Sequence, residues 1–125
     1  MAYLLDTHLL IWWWEDSAHL SAKTRQLIGE QTSVVFVSAA SVWEIAIKKT
    51  LGKLEMTADI EQVIQKSKFQ PLPITLHHAV LAGRLPRHHD DPFDRMLVAQ
   101  AQHEGLTLLT HDRRLKTYGS HVSVI

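Results

Sequence analysis

Short apolar runs alternate along this chain with longer segments of helical period. Tyr3-Leu4-Leu5 ends abruptly in Asp6, and Ser33 to Ser38 is β-branched and bounded by small polar residues. Both read as buried strands. Leu106 to Thr110 reads as a third strand and Val122 to Ile125 as a last. Phe69 to Ile74 is extended, but Pro71 and Pro73 make it an edge strand at best. Between these runs the pattern predicts helices. One covers His8 to Glu15, and a second covers Ser21 to Glu30 with Ser21 as a cap. A third runs from Ala39 or Ala40 to Leu51, with Gly52 placed as a C′ glycine. Thr57 is expected to cap a fourth, whose stripe is Ile60, Val63 and Ile64. Thr75 to Arg84 is a fifth, followed by the polar loop Leu85 to Asp90. Asp91-Pro92 is a strong helix start, and that helix stops at Gly105. Asp112 to Tyr118 is a short helix closed by Gly119. Strands alternating with helices imply an α/β fold with a mainly parallel sheet and helices on both of its faces.

Trp12, Trp13 and Trp14 are consecutive, so a helix points them in three directions. At most two face the core well. The third is expected at a partner surface, or lying over a neighbouring helix of the same chain.

Composition narrows the picture. With 125 residues, 46% of them hydrophobic, the chain reads as a single domain over residues 1–125. No apolar run approaches the roughly 20 residues of a membrane helix. The start lacks the basic region and cleavage site of a signal peptide. Cysteine is absent, which excludes disulfides and thiolate metal sites. A cytoplasmic protein is the expectation. The net charge is zero, against a generally basic nucleic-acid binder. Yet residues 1–62 hold eight acids against five Lys and Arg, and residues 63–125 hold five against eight. The second half also carries seven of the nine histidines. A local phosphate-binding surface stays open.

The carboxylates carry the candidate chemistry. Asp6 and Asp112 each follow a strand at its carboxyl end, although either residue could simply cap the helix after it. Asp94 lies three residues after Asp91, where an acid suits the first turn. It also shares a helical face with Leu97, Val98 and Ala101, so it heads the core-facing stripe, where a charge needs a partner or a metal. Asp91 reads as structural, paired with Arg95 at i, i+4. Glu44 sits one to two turns into the helix after the second strand. Four acids from four segments thus converge on one rim of the sheet. Oxygen ligands without cysteine suit Mg²⁺ or Mn²⁺, and such ions serve the attack of water on a phosphodiester. A Ser-His-Asp triad lacks the glycine pattern of a nucleophile elbow and is discarded. A phosphoacceptor domain would want a lysine just after a late strand, where this chain has Thr110-His111-Asp112.

Leu5-Asp6-Thr7-His8, Ser38 to Ile45, Asp91 to Ala101 and Thr110-His111-Asp112, taken in order, resemble the motifs of PIN-domain proteins, and among these the VapC-type toxins of type II toxin–antitoxin pairs. The resemblance covers nearly the whole chain. It implies a three-layer α/β/α fold and a metal-dependent endoribonuclease, with Mg²⁺ or Mn²⁺ held by Asp6, Glu44, Asp94 and Asp112. Thr7 and Thr110 match small hydroxyl positions beside that metal site. A small antitoxin partner and a homodimer are further implications. Arg87, His88, His89, Arg95, Arg113 and Arg114 are expected contacts for RNA, and His88 and His89 are also weighed as acid–base groups or ligands. The alternative is a non-catalytic RNA-binding or regulatory module that keeps the fold.

Overall fold

The computed structural model describes residues 1–125. Its centre is a five-stranded parallel sheet in the order β3-β2-β1-β4-β5. The strands are β1 (Ala2–Leu5), β2 (Val34–Ser38), β3 (Gln70–Leu72), β4 (Thr107–Thr110) and β5 (Val122–Val124). The helices are α1 (Thr7–Glu15), α2 (Ala22–Gly29), α3 (Ala39–Thr50), α4 (Ile60–Lys66), α5 (Leu76–Arg84) and α6 (Pro92–Glu104). Arg113–Tyr118 forms a 3₁₀ turn.

Side-chain alternation along the strands divides the core into two layers. Tyr3, Leu5, Val35, Val37 and Leu109 face one side, where they meet Leu9 and Leu10 of α1, Ile28 of α2, Ile45 of α3 and Val63 of α4. Leu4, Phe36, Leu108 and Val122 face the other, against Leu97, Val98 and Ala101 of α6, Leu81 of α5, and Leu115. Apolar residues fill both faces, which is why β1 and β4 read as continuous apolar runs rather than alternating ones. The three-layer α/β/α arrangement expected from the sequence is the one observed.

One local expectation changes and one holds. Asp59, not Thr57, caps α4: its side chain accepts from the Glu61 N–H and the helix begins at Ile60. Pro71 is accommodated because β3 is an edge strand, paired only with β2.

β1 lies in the middle of the sheet, with β2 on one side and β4 on the other. The chain builds outward from β1 in one direction, then returns to its other flank. That reversal leaves a crevice at the carboxyl ends of β1 and its neighbours. No helix is long and apolar enough to cross a membrane.

Candidate active site

Asp6 follows the last residue of β1. Its backbone N–H donates to Leu109 O, which ties the end of β1 to β4. The side chain is 4% exposed. Its Oδ1 accepts from the Leu9 N–H at 2.8 Å, and its Oδ2 accepts from the Thr110 hydroxyl at 2.6 Å. Asp6 is thus a helix cap and a member of the acid rim at once. Burial pushes its carboxyl above the ordinary 3.8, against the pull of the Thr110 and Leu9 donors. Thr110 in turn accepts from the Asp112 N–H at 3.0 Å, so one hydroxyl orients two of the acids.

Asp94 stands in the first turn of α6, whose cap Asp91 accepts from the Phe93 and Asp94 N–H groups. As the helical stripe requires, Leu97, Val98 and Ala101 below it are fully buried. Burial pushes Asp94 up to about 6; the hydrogen bond from His89 pulls it down, and the charges of Asp91 and Asp6 push it up again. Asp112 goes the other way. Arg114 clasps it with Nε and Nη2, at 2.7 Å for the shortest contact, and holds it below the ordinary carboxylate value.

Glu44 is on α3, 4% exposed, and is tied through Thr7 to the residue next to Asp6, outside the cluster of His89, Asp94 and Asp112. Thr7 donates to its Oε1 at 2.7 Å, Lys48 pairs with its Oε2 at 2.7 Å, and Ser41 Oγ lies 3.0 Å from the Thr7 hydroxyl. The Lys48 pair follows the i, i+4 spacing and was legible in the sequence on that ground. Ser41 carried no comparable signal.

The basic residues are distributed unequally. Arg113 and Arg114 are exposed beside Asp112, and Arg87 is exposed and paired with Asp90. His88 packs against Tyr118. Arg95 does not pair with Asp91 as the spacing suggested. Its guanidinium donates to the carbonyls of Ala82, Leu85, Pro86 and His89 and to the Tyr118 hydroxyl. It therefore holds the loop between α5 and α6. That loop delivers His89 into the acid rim: its Nε2 lies 2.8 Å from Asp94 Oδ2 and 4.0 Å from Asp112 Oδ2.

The donor set fits a divalent cation. No Lys or Arg pairs with Asp6 or Asp94, while burial penalises the charge of both. Buried acids without a compensating cation are costly, and a metal supplies the missing charge. A second group, His78, His103 and Glu104, also brings three donor atoms within 4.8 Å of one another. Its tautomer forbids the same use. His78 Nδ1 accepts from the Thr75 N–H at 3.0 Å, so the neutral ring carries its proton on Nε2 and donates it to Glu104 at 3.1 Å. That histidine closes the capping box of α5 and has no free lone pair for an ion.

Residues 3–120 match the family model for the PIN domain. The chain is 30% identical over 118 residues to Ribonuclease VapC22 of Mycobacterium tuberculosis, an alignment that covers 92% of this chain and 90% of that protein. Among solved structures it is similar to VapBC2 from Rickettsia felis bound to a promoter DNA fragment, with TM-score 0.72 and 14% identity over 100% of this chain and 98% of that one. A toxin–antitoxin complex from Klebsiella pneumoniae is similar too, with TM-score 0.70 and 18% identity over 98% and 96%. The two structures speak for the fold. The family match and the ribonuclease relative, each spanning nearly the full length, establish that this chain belongs to the PIN-domain family and is a homologue of the VapC-type ribonucleases.

Proposed function

We propose that the protein is the toxin of a type II toxin–antitoxin pair and cuts RNA with the help of Mg²⁺ or Mn²⁺. The observation that carries the metal reading is the pair Asp6 and Asp94, two carboxylates raised by burial with no Lys or Arg to balance them. Asp6, Asp94 and Asp112, with Glu44 behind them, are the residues that would hold the ion. When bound, the ion supplies charge neutralisation at the phosphate and activation of water.

The chain's own residues do the rest. Thr110 fixes the rotamers of the rim by binding Asp6 and Asp112 together. Arg114 keeps Asp112 ionised and therefore able to act as a ligand. Thr7 and Lys48 each engage one oxygen of Glu44 and so orient its carboxylate. Lys48 and Lys53 line a groove of about 460 Å³ that runs from Glu44 past Phe93, and in our reading Lys53, which is exposed, meets the RNA backbone there. Attack of water on phosphorus displaces the 3′-oxygen and leaves a 5′-phosphate and a 3′-hydroxyl.

Support for a protein partner comes from the toxin–antitoxin complexes whose fold this chain shares. In our reading a small antitoxin restrains the nuclease in the cytoplasm, and the toxin forms a homodimer. The test is cleavage of a labelled single-stranded RNA by purified protein with Mn²⁺, Mg²⁺ or EDTA. Glu44→Gln and Asp94→Asn should each lower the rate by at least about 100-fold, with unchanged circular dichroism. Cleavage that persists in EDTA, or in both variants, sinks the proposal.

A further inference from the structure

We propose that His89 is a nitrogen ligand of the divalent ion, so that the site is a mixed nitrogen–oxygen site selective for Mn²⁺ over Mg²⁺. The inference rests on the metal reading above and adds the ion's identity to it.

Three facts carry it. First, the imidazole is not a loose loop side chain. It is 8% exposed although it comes from a polar loop, and its own carbonyl is gripped by Arg95. A buried, aimed ring on an anchored loop is a built feature. Second, Nε2 is the atom that enters the rim, and only carboxylate oxygens face it there: Asp94 Oδ2 at 2.8 Å and Asp112 Oδ2 at 4.0 Å. Donor atoms of His89, Asp94 and Asp112 all lie within 4.8 Å of one another. Two donors on one ion with bonds near 2.1 Å sit about 3 Å apart at a right angle and about 4.2 Å apart when opposite. The separations of 2.8 and 4.0 Å lie close to that range, so small side-chain adjustments would let one ion reach all three donors. Third, nothing fixes the tautomer of His89: its Nδ1 has no hydrogen-bond partner, unlike His78 Nδ1, which takes the Thr75 N–H, so the proton that Nε2 now gives to Asp94 can move to Nδ1 when a cation takes its place. Asp94 and Asp112 offer only acceptors when ionised.

The chemical consequence follows from ligand preference. Mn²⁺ is the weakest binder of the Irving–Williams series, but as a transition ion it takes a nitrogen donor more readily than Mg²⁺, which prefers oxygen and keeps its waters. Removing His89 should therefore cost Mn²⁺ more than Mg²⁺.

The experiment is electron spin-echo spectroscopy of one equivalent of Mn²⁺ on the metal-free protein, with Mn²⁺ and Mg²⁺ affinities measured by calorimetry. Variants are His89→Ala, His89→Gln, His88→Ala as a neighbouring control, and Asp94→Asn. The expected result is ¹⁴N coupling on bound Mn²⁺ in the wild type and in His88→Ala, lost in both His89 variants. Mn²⁺ affinity should fall about tenfold or more in His89→Ala, and Mg²⁺ affinity by less than about threefold. His89→Gln keeps a polar side chain of similar reach if the alanine variant fails to fold, and the wild-type spectrum reads nitrogen ligation without any variant. Absent coupling, coupling unchanged in the His89 variants, or Mn²⁺ affinity that stays level or rises overturns the proposal. A rise would make His89 a competing internal cation rather than a ligand. Binding that needs Asp94 but not His89 overturns this inference alone. Failure of the wild type to bind either ion overturns it together with the metal reading.

Discussion

Asp94 is the residue at which position and environment pull hardest against each other. Its helix face is that of a core residue, yet its side chain is a carboxylate, and burial lifts it from 3.8 to about 6. Between those values the folded, metal-free chain keeps a proton that the unfolded chain has lost. Stability must then fall as pH rises from 3.8 through about 6, and level off above. Asp6 adds to the same slope, because it too is raised. Asp112, held down by Arg114, contributes in the opposite sense, with stability that is lost only as pH drops below 3.8. We expect denaturant melts in EDTA to show this fall, and Asp94→Asn to flatten it by its own share; an identical pH profile in the variant refutes the assignment. Asp94 was legible in the sequence because the stripe it heads is so regular. Arg95 was not. Spacing along the helix favoured Asp91, but four carbonyls and a phenol from a distant turn offer more acceptors than one neighbouring carboxylate already occupied in capping. Arg95→Met should cost roughly 2–3 kcal/mol and speed hydrogen exchange in residues 86–90. Exchange confined to other segments contradicts a role in holding that loop.

At the scale of elements, α1 shows how one helix resolves three adjacent indoles. Trp13 donates its Nε1–H to Ser67 at 3.1 Å, packs against Phe69 and lies under Arg25. Trp12 is flanked by His19 and His111. Trp14 has no such neighbours and is 38% exposed. Two tryptophans thus cover intramolecular surface, and the third is left over, as the geometry of the helix demanded. Trp13→Ala should cost about 3 kcal/mol, whereas Trp14→Ala should cost less than about 0.5 kcal/mol while weakening association with an antitoxin or second protomer. If Trp14→Ala unfolds the chain, or leaves both associations intact, that face is not an interface. The elements themselves were largely readable, since Gly52, Gly105 and the Asp91-Pro92 pair mark their ends. What the pattern could not supply was the choice between Thr57 and Asp59 as a cap. Both are good acceptors two positions apart, and it is the Asp59 side chain that accepts a helix N–H. The 3₁₀ winding of Arg113–Tyr118 was equally hidden, because six residues with one charged face fit either helix.

For the molecule as a whole, the edge on which Asp6 and Asp112 lie followed from topology: the strands that lead into them had to be neighbours for the rim to exist, and they are. The path of the loop that carries His89 did not follow, since no periodicity governs residues 85–90. The central place of β1 has a consequence for the order of events in synthesis. β1 is made first, but one of its flanks waits for β4, and the Thr110 hydroxyl that orients Asp6 arrives 104 positions later. Until then the ribosome carries a chain with an open central edge and half a rim. Such distant pairing is slow to form and comes last. A fragment of residues 1–105 should neither melt cooperatively nor cut RNA, and cleavage by that fragment contradicts the idea. For the proposed ribonuclease the delay has a use: the nascent chain stays without a complete acid rim until β4 has been made.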